Sequence, residues 1–490
     1  MPVVRFPLVG AYVDRLVNAQ SSDERDQHFI NCFPDVWENP VTGKSSLWLT
    51  KREGSTSGAD VDASAIGSFA GCMWTSNSAD TSPVVFAFIK NSSAQFRDQN
   101  GTQIGSDVPS AGNVYFMSET LISGVANLTA SVSNLQSDIE LWFFPEGGAW
   151  TKNTDGDLPT NIRPVHCHMD GYQFFITKAG VVWNTDLNSL SAVTATSFLN
   201  AHSMPDGGRA VVRYRNFVVA FGDHSFEMFY NAGNATGSPL SRVDNSIRRI
   251  GVMRGQRTIL TIGDTVYWIG RNADTGKFGV YRLNGSEAEK ISNASVDRLL
   301  AEGGMDNIGG SFTMGGYSHV AFPAGDQKVL CYCIETKFWW WFQHASAGVN
   351  PSMFAGGSMI NGTVYYIGSS SRKIWTVTPS SPVWIDGSVS YTMRAQTGYT
   401  NYGTYNRKFF KSLALIGDTQ SSAANINVSY SDDDSAYNTA VSINMVATAP
   451  QSYRLRRLGV SRRRAWRFEN SSATPLRLEA VEIDYDVGAS

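Results

Sequence analysis

The chain has 490 residues, more than one ordinary hydrophobic core accommodates, so its length predicts either several domains or a repeat architecture. Aromatic residues make up 12% of it and charged residues 17%, and 45 glycines separate short β-branched and aromatic runs, which favours an all-β protein. A net charge of −3 excludes a strong overall attraction to nucleic acid or to an anionic membrane.

The sequence shows neither a run of 18 apolar residues nor the pattern of a secretory signal. We therefore expect that the protein is made in the cytoplasm and does not insert into a membrane. Its cysteines are odd in number and widely scattered, which argues against a disulfide framework. We expect most of them to be small buried hydrophobic residues. They are Cys32, Cys72, Cys167, Cys331 and Cys333.

Residues 1–61 follow no repeat and contain Pro7, Pro34 and Pro40 together with a polar, acidic stretch at 21–26. This composition predicts an irregular N-terminal arm. We expect the arm to pack on the C-terminal domain.

A two-strand unit recurs through the middle of the chain. Each clear copy is an apolar strand that follows a turn, and a short polar gap separates it from a second strand. Four copies begin at 170–177, 214–222, 263–270 and 361–368, and a fifth, without the turn signature, at 318–322. The copies are centred 43 to 53 residues apart. Strand repeats of this length predict propeller blades.

Two further units extend the repeat toward the N-terminus. An early hairpin at 83–97 lies two repeat lengths before the first clear copy, and a degenerate unit at 114–144 fills the interval. These units predict a β-propeller over 62–382 with about six blades, with five or seven as alternatives.

After the segment 379–382, which begins and ends with proline, apolar and polar residues alternate more strictly. Such alternation predicts strands with one buried and one solvated face. The chain from 383 to 490 is therefore predicted to be a β-sandwich platform. Its predicted strands include 388–392, 412–416, 424–430 and 476–483.

Catalytic patterns are weak. The pairs His166/His168 and Cys331/Cys333 alternate along strands, but neither has a second pair of ligands nearby. The acidic run 432–434 only partly resembles the turn of sialidase-type propellers. The aromatic run 338–342 is interpreted as core and not as a stacking platform. We therefore predict a protein that is not an enzyme and has no catalytic, cofactor-binding or metal site.

Seven arginines crowd into 14 residues near the C-terminus. Guanidinium groups bind both carboxylates and phosphates, so these arginines are candidate assembly contacts or contacts lining a channel lumen. Pairing between subunits, or within the chain with Glu479, Glu482, Asp484 and Asp486, is favoured over DNA contact. The cluster consists of Arg454, Arg456, Arg457, Arg462, Arg463, Arg464 and Arg467.

Three regions carry a resemblance to a known family. They are the phrases within 17–54, the blade phrase 218–234 with 250–252, and the arginine-rich stretch 453–464. With them the chain resembles the tail hub, or nozzle, proteins of short-tailed bacteriophages, also called packaged-DNA stabilisation proteins. In that family the phrase ending at Gly54 commonly has proline where this chain has Glu53.

The resemblance implies a virion structural protein of the phage tail, assembled in the host cytoplasm. It implies a homohexameric ring below the portal and adaptor that extends the DNA channel, retains the packaged genome and anchors tailspikes or tail fibres. A distal plug or needle protein and the transient passage of double-stranded DNA are further implied contacts. The alternative is a glycan-binding or glycan-hydrolysing propeller on a phage tail.

Overall fold

The structure is a computed structural model, and almost all of its regular structure is β-strand. The forty strands and one helix given below belong to the described residues. These residues are 3–7, 28–38, 45–60, 70–76, 78, 83–201, 204, 206–252, 259–302, 309–324, 328–346, 348–349, 351–356, 362–368, 372–420, 424–446 and 454–489.

The first five strands are β1 (Val3–Pro7), β2 (His28–Ile30), β3 (Cys32–Glu38), β4 (Ser45–Lys51) and β5 (Thr56–Asp60). Three blade sheets follow. The first contains β6 (Ala70–Met73), β7 (Val84–Lys90) and β8 (Ser93–Asp98), and the second contains β9 (Ala111–Ile122), β10 (Val125–Asn134), β11 (Ile139–Pro145) and β12 (Thr151–Lys152). The third contains β13 (Cys167–Met169), β14 (Tyr172–Ile176), β15 (Val181–Asn184) and β16 (Phe198–Asn200). The fourth and fifth sheets contain β17 (Gly208–Tyr214), β18 (Phe217–Gly222), β19 (Phe226–Asn231) and β20 (Leu240–Arg242), then β21 (Ile250–Val252), β22 (Ile259–Ile262), β23 (Thr265–Asn272), β24 (Phe278–Asn284) and β25 (Glu287–Lys290).

Helix α1 (Ala294–Glu302) precedes the sixth sheet. The sixth and seventh sheets contain β26 (Gly310–Met314), β27 (Tyr317–Pro323), β28 (Lys328–Cys333) and β29 (Trp339–Gln343), then β30 (Pro351–Gly356), β31 (Val364–Gly368) and β32 (Lys373–Val377). The remaining strands are β33 (Met393–Gln396), β34 (Lys408–Gly417), β35 (Asn425–Asp432), β36 (Val441–Asn444), β37 (Arg454–Arg456), β38 (Val460–Ser461), β39 (Arg464–Asn470) and β40 (Arg477–Val487). Among the described residues, none of the helical structure reaches the length and apolarity that a membrane span requires.

The repeated unit folds as predicted, with its strands in antiparallel hairpins. The turn before each strand contains a residue with positive φ, such as Gly171 at 83°, Gly263 at 53° and Gly362 at 76°. Glycine adopts this conformation without steric cost. The fifth copy has such a turn as well, because Gly315 and Gly316, with φ of 61° and 83°, precede β27. The sequence analysis missed this turn.

Seven blade sheets follow one another, one more than the favoured count of six. Neighbouring sheets pack in chain order, and the first packs against the seventh, where Phe86 and Phe88 of β7 share a buried cluster with Ile367 and Ile374. The sheets therefore close into a propeller-like ring.

Strand β5 completes the seventh sheet by pairing with β32, which is more than 300 residues later in the chain. Residues 56–60 thus lie in a blade, although the sequence analysis placed them in the N-terminal arm. The pairing covers an edge of β32 that would otherwise be exposed, and it joins the two ends of the ring.

Two sheets pack face to face after the propeller. The first has the order β3-β4-β40-β34-β37, with β1 also on β40 and β38 on β34, and the second includes β2-β33-β39-β35-β36. Their buried faces meet in one core. The predicted strand 388–392 is wrong, because the chain forms a tight turn there, with hydrogen bonds between Asp386 and Val389 and a φ of 63° at Gly387.

The two parts share one continuous sheet. Strand β2 pairs in parallel with β29 of the sixth blade, Ile30 opposite Trp341, and on its other side it pairs antiparallel with β33. The aromatic run of β29 is core, as predicted, with Trp340 and Phe342 both fully buried. An uninterrupted core therefore connects the propeller to the sandwich.

Candidate assembly surface

The arginine cluster lies at one edge of the sandwich. Strands β37 and β38 both pair with β34 and form the edge of the first sheet, whereas β39 lies within the second. Between the two edge strands, Arg457 and Gly459 have positive φ, so the chain leaves β34 and then returns to it. The cluster is thus divided between two sheets.

Arg464 is fully buried in the sandwich core. Its Nε donates to Asp432 Oδ1 at 2.6 Å and its Nη2 donates to Oδ2 at 2.8 Å, which makes a bidentate ion pair. Its guanidinium carbon lies 4.0 Å from the ring centroid of Phe410 and 3.9 Å from that of Tyr430. A buried guanidinium needs such partners, because its removal from water is costly. Arg464 is therefore a structural residue.

The acidic turn 432–434 holds the neighbouring arginines. The carboxylate of Asp433 accepts hydrogen bonds from the backbone N–H groups of Arg462 and Arg463, at 3.3 and 2.9 Å. The Arg463 guanidinium forms an ion pair with Asp434. The run that partly resembled a sialidase-type turn thus binds arginines of the same chain.

Two more arginines have partners within the chain. Arg467 Nε donates to Gln396 Oε1 at 2.9 Å, and its guanidinium carbon lies 3.8 Å from the ring centroid of Tyr437. Arg462 is exposed, and its Nη1 donates to the backbone carbonyl of Tyr405 at 3.0 Å. The ion pairs that the structure describes for the cluster are with Asp432 and Asp434. Of the acidic residues of β40 that the sequence suggested, namely Glu479, Glu482, Asp484 and Asp486, the last forms an ion pair with Lys411 instead.

Arg454, Arg456 and Arg457 differ from the rest of the cluster. All three are exposed, and none forms a side-chain hydrogen bond or ion pair with another residue that the structure describes. They are therefore the arginines of the cluster most available to another molecule.

The register of the first sheet arranges charges in rows on its solvent-facing side. Arg456 pairs with Ser412, which also pairs with Asp484. In the same way Ala414 lies between Arg454 and Glu482. Residues in register on adjacent strands share a face of the sheet, so a basic row on β37 and an acidic row on β40 flank two small residues of β34. We call this surface the two-row face, defined by Arg454, Arg456, Ser412, Ala414, Glu482 and Asp484.

An apolar patch adjoins the two-row face. Phe409 of β34 is 48% exposed, and its register partner Val460 is 43% exposed. Tyr405 and Val487, near the same end of β34, are 70% and 47% exposed. Exposed aromatic and aliphatic side chains beside charged rows are typical of protein interfaces.

A second cluster of polar groups, buried between the propeller and the sandwich, was not identified from the sequence. Arg52 and Asp386 are both fully buried and form two hydrogen bonds, Nη1 to Oδ1 at 3.0 Å and Nη2 to Oδ2 at 2.6 Å. Arg52 Nε donates to Asn31 Oδ1 at 2.8 Å, and Nη2 donates to the carbonyl of Gln343 at 3.1 Å. We call this cluster the junction network.

Asp386 also accepts hydrogen bonds from the backbone N–H groups of Ser55 and Ala345, at 3.1 and 3.0 Å. Burial alone would raise the pKa of its carboxyl, but the Arg52 guanidinium outweighs burial and holds that pKa below its ordinary value. The network therefore fixes strands of both parts around one charged pair. A sequence signal was available, since two adjacent cations follow the apolar run 47–49, with Lys51 as the last residue of β4 and Arg52 directly after it.

Lys51 is a second buried cation near this network. Its Nζ donates to Asn470 Oδ1 at 3.0 Å and to the carbonyl of Ser472 at 2.5 Å. Burial, and then the nearby Arg52, lower the pKa of its amine to about 8. Lys51 and Arg52 thus both serve the attachment of the N-terminal strands.

The residues weighed as metal ligands have other contacts. The ring of His166 is buried and lies 2.8 Å from Thr129 Oγ1 and 3.0 Å from Ser131 Oγ, across the seam between the second and third blades. Burial lowers its pKa to about 4. Cys331 and Cys333 are buried free thiols. Among the described residues, no three His, Cys, Asp or Glu side chains come together as a metal site.

Residues 94–312 match the family model described as Bacteriophage P22 Gp10, beta-propeller. The matched segment runs from β8 to β26 and includes the blade phrase 218–234. No curated protein matches the chain. Among solved structures, it is similar to an exo-beta-1,3-galactanase from Phanerochaete chrysosporium with beta-1,3-galactotriose, at 10% identity and a TM-score of 0.27, with 93% of this chain and 100% of that chain covered. A TM-score this low does not indicate a shared fold. The family match supports the resemblance to tail proteins of short-tailed bacteriophages.

Proposed function

We propose that the chain is a virion structural protein that forms the nozzle, or hub, ring of a short-tailed phage tail. The match of residues 94–312 to the phage P22 Gp10 propeller family is the observation that carries this proposal. In the proposed tail, six copies form a ring below the portal and adaptor, extend the DNA channel and retain the packaged genome. Tailspikes or fibres, and a distal plug or needle protein, attach to the ring. The proposed site of action is the virion tail, after assembly in the host cytoplasm.

The architecture suits a structural role. The sandwich, which includes N-terminal strands, has an exposed edge, and one continuous sheet joins it to the propeller. A ring of identical subunits needs interfaces between unlike surfaces that close by rotation. We propose that the sandwich faces the adaptor and that the propeller lies distal.

The charge of the chain suits a DNA conduit. A channel should not hold DNA tightly, because each phosphate contact adds to affinity and would slow ejection. The net charge is −3, and four of the seven clustered arginines have partners within the chain. Weak contact with passing DNA fits this balance.

The test is the mass of the purified protein, alone and with its portal and adaptor complex, measured by light scattering and electron microscopy. We expect a six-fold ring, either free or on the adaptor. A chain that stays monomeric and ignores the adaptor contradicts the proposal. Stabilisation by a glycan, or release of a glycan product, would instead support a carbohydrate-binding or carbohydrate-cleaving propeller.

A further inference from the structure

We propose that the two-row face is the contact between neighbouring copies of this chain, with Arg454, Arg456 and Arg457 of one copy against Glu482 and Asp484 of the next. The inference rests on the proposed function, because it names the surface that joins copies in the ring. It starts from the rows of opposite charge on the first sandwich sheet.

Basic residues lie beside the acidic row within one copy. Arg5 of β1 is in register with Glu482, and the charges of Lys411 and Asp484 attract each other. Glu482 and Asp484, like the three arginines, form no ion pair or side-chain hydrogen bond with another described residue, and Asp484 Oδ1 is buried without a partner among those residues. A buried carboxylate oxygen without a hydrogen bond is costly. The rest of the Asp484 side chain is only half-buried, so a cation of a neighbouring copy can attract its charge.

The two rows are separated within one copy. Strand β34 lies between β37 and β40, so the rows are two inter-strand spacings apart, about 10 Å. The intervening side chains, Ser412 and Ala414, are small, and Lys411 beside them forms an ion pair with Asp486 at 2.7 Å. A neighbouring chain can therefore approach either row.

The signs of the charges identify the partner. DNA would match only the basic row and would be repelled by the acidic row. A partner that fits the whole face must carry both signs, and a second copy of this chain carries them. Complementary charge across an interface directs the register of association and excludes wrong partners.

The apolar patch beside the rows supplies the other element of a protein interface. Phe409 and Val460 lie side by side in register at the end of the two-row face, with Tyr405 nearby. Aromatic residues and arginines dominate the binding energy of many interfaces. An edge strand without a pairing partner would also be protected from unspecific association once a neighbour covers it.

Charge exchange between two variants tests the proposal. The basic-row variant combines Arg454→Glu with Arg456→Glu, and the acidic-row variant combines Glu482→Arg with Asp484→Arg. We expect each variant alone to raise the dissociation constant between copies by about a hundredfold, because like charges then oppose each other across the contact. In an equal mixture every contact regains opposite charges, so alternating assemblies should form. Native mass spectrometry identifies them by their equal content of the two variants.

Controls separate this result from loss of folding. The variant Arg454→Lys with Arg456→Lys keeps the charge and should assemble. The variant Lys178→Glu with Lys277→Glu changes the net charge as the basic-row variant does, at exposed positions of the propeller, and should leave assembly unchanged. Near-ultraviolet circular dichroism of each variant reports the fold. If the rows interact only within one copy, mixing rescues nothing and the inference is overturned.

Two further outcomes distinguish the inference from the proposed function. If the mixed variants associate but form only closed dimers, the result supports the two-row face as the contact and contradicts the nozzle ring. If both charge-reversal variants still form rings on the adaptor, the result supports the nozzle and overturns the two-row face as the contact. A wild-type chain that forms no contact between copies, with or without the adaptor complex, also overturns the inference.

Discussion

Replacement of Asp386 by asparagine should strongly destabilise the chain. The change keeps the size of the side chain and removes its charge, so the buried Arg52 guanidinium loses its counter-charge. Asparagine also places an amide donor where two backbone N–H groups and the Ser55 hydroxyl now donate to a carboxylate. At least one buried donor would then lack an acceptor.

The structure sets the size of the effect. Arg52 and Asp386 are both 0% exposed, so solvent does not screen the pair. Removal of one partner from a buried ion pair typically costs about 3–5 kcal/mol, because the other charge stays buried and uncompensated. The hydrogen bonds from Arg52 to Asn31 and to the Gln343 carbonyl remain. The expected loss is therefore about 3 kcal/mol, at the lower end of that range.

The assay is urea unfolding of wild type, Asp386→Asn, Arg52→Met and the double variant, followed by tryptophan fluorescence. The double variant should lose less than the sum of the single variants, because it leaves no unpaired charge. A loss below about 1 kcal/mol for Asp386→Asn would refute the reasoning, since an ion pair exposed to solvent contributes no more than about 1 kcal/mol to stability.

The same residue predicts an acid response. The folded pKa of Asp386 is lower than its unfolded value, so the unfolded chain binds the proton more readily. The contribution of Asp386 is therefore complete above its ordinary pKa of 3.8 and is lost as the pH falls through the folded value. Asp386→Asn should remove this part of the acid sensitivity.

Three other changes have expected outcomes. Trp340→Ala should cost about 3–5 kcal/mol in thermal or urea unfolding, because the ring is fully buried, and a loss below about 1 kcal/mol would contradict that burial. Arg464→Glu should lower the unfolding temperature far more than Arg462→Glu, because position 464 is buried beside Asp432 and position 462 is exposed; equal effects would refute this assignment. His319 is buried against aromatic rings, with 5.0 Å between its ring centroid and that of Phe312, and burial lowers its pKa from 6.5 to about 3. The unfolded chain therefore binds the proton first, and the free energy of unfolding should decrease as the pH falls from 6.5 to about 3. His319→Phe should make the unfolding midpoint less dependent on pH in this range, and an unchanged pH dependence would overturn this expectation.

The blades were largely predictable from the sequence. Alternation of apolar residues, and turns with glycine or a polar residue, are local properties, so the hairpins around β14, β18, β23 and β31 agree with the predicted strands. The degenerate unit around β9 and β11 was also identified. The error at 388–392 has a local cause, because Gly387 and the bonds between Asp386 and Val389 favour a turn where the apolar pattern suggested a strand.

The candidate surface was only partly predictable. The sequence identified an unusual concentration of arginines, but charge spacing alone does not show which of them have partners. Asp432 forms an ion pair with Arg464 because β35 lies beside β39 in the second sheet, which puts the two residues in register. Asp434 follows in the turn after β35 and pairs with Arg463. Exposure of Arg454 and Arg456 follows from the position of β37 at a sheet edge.

By itself, the sequence determined the all-β class, the hairpin repeat and most strand positions, because these depend on residues that are near neighbours in the chain. Only the tertiary structure decided which distant segments meet. It pairs β5 with β32, inserts β2 between β29 and β33, and brings Arg52 to Asp386 across 334 positions. The physical reason is that burial and charge compensation in the assembled core stabilise such contacts. Neither free energy can be inferred from the residues that are neighbours in the chain.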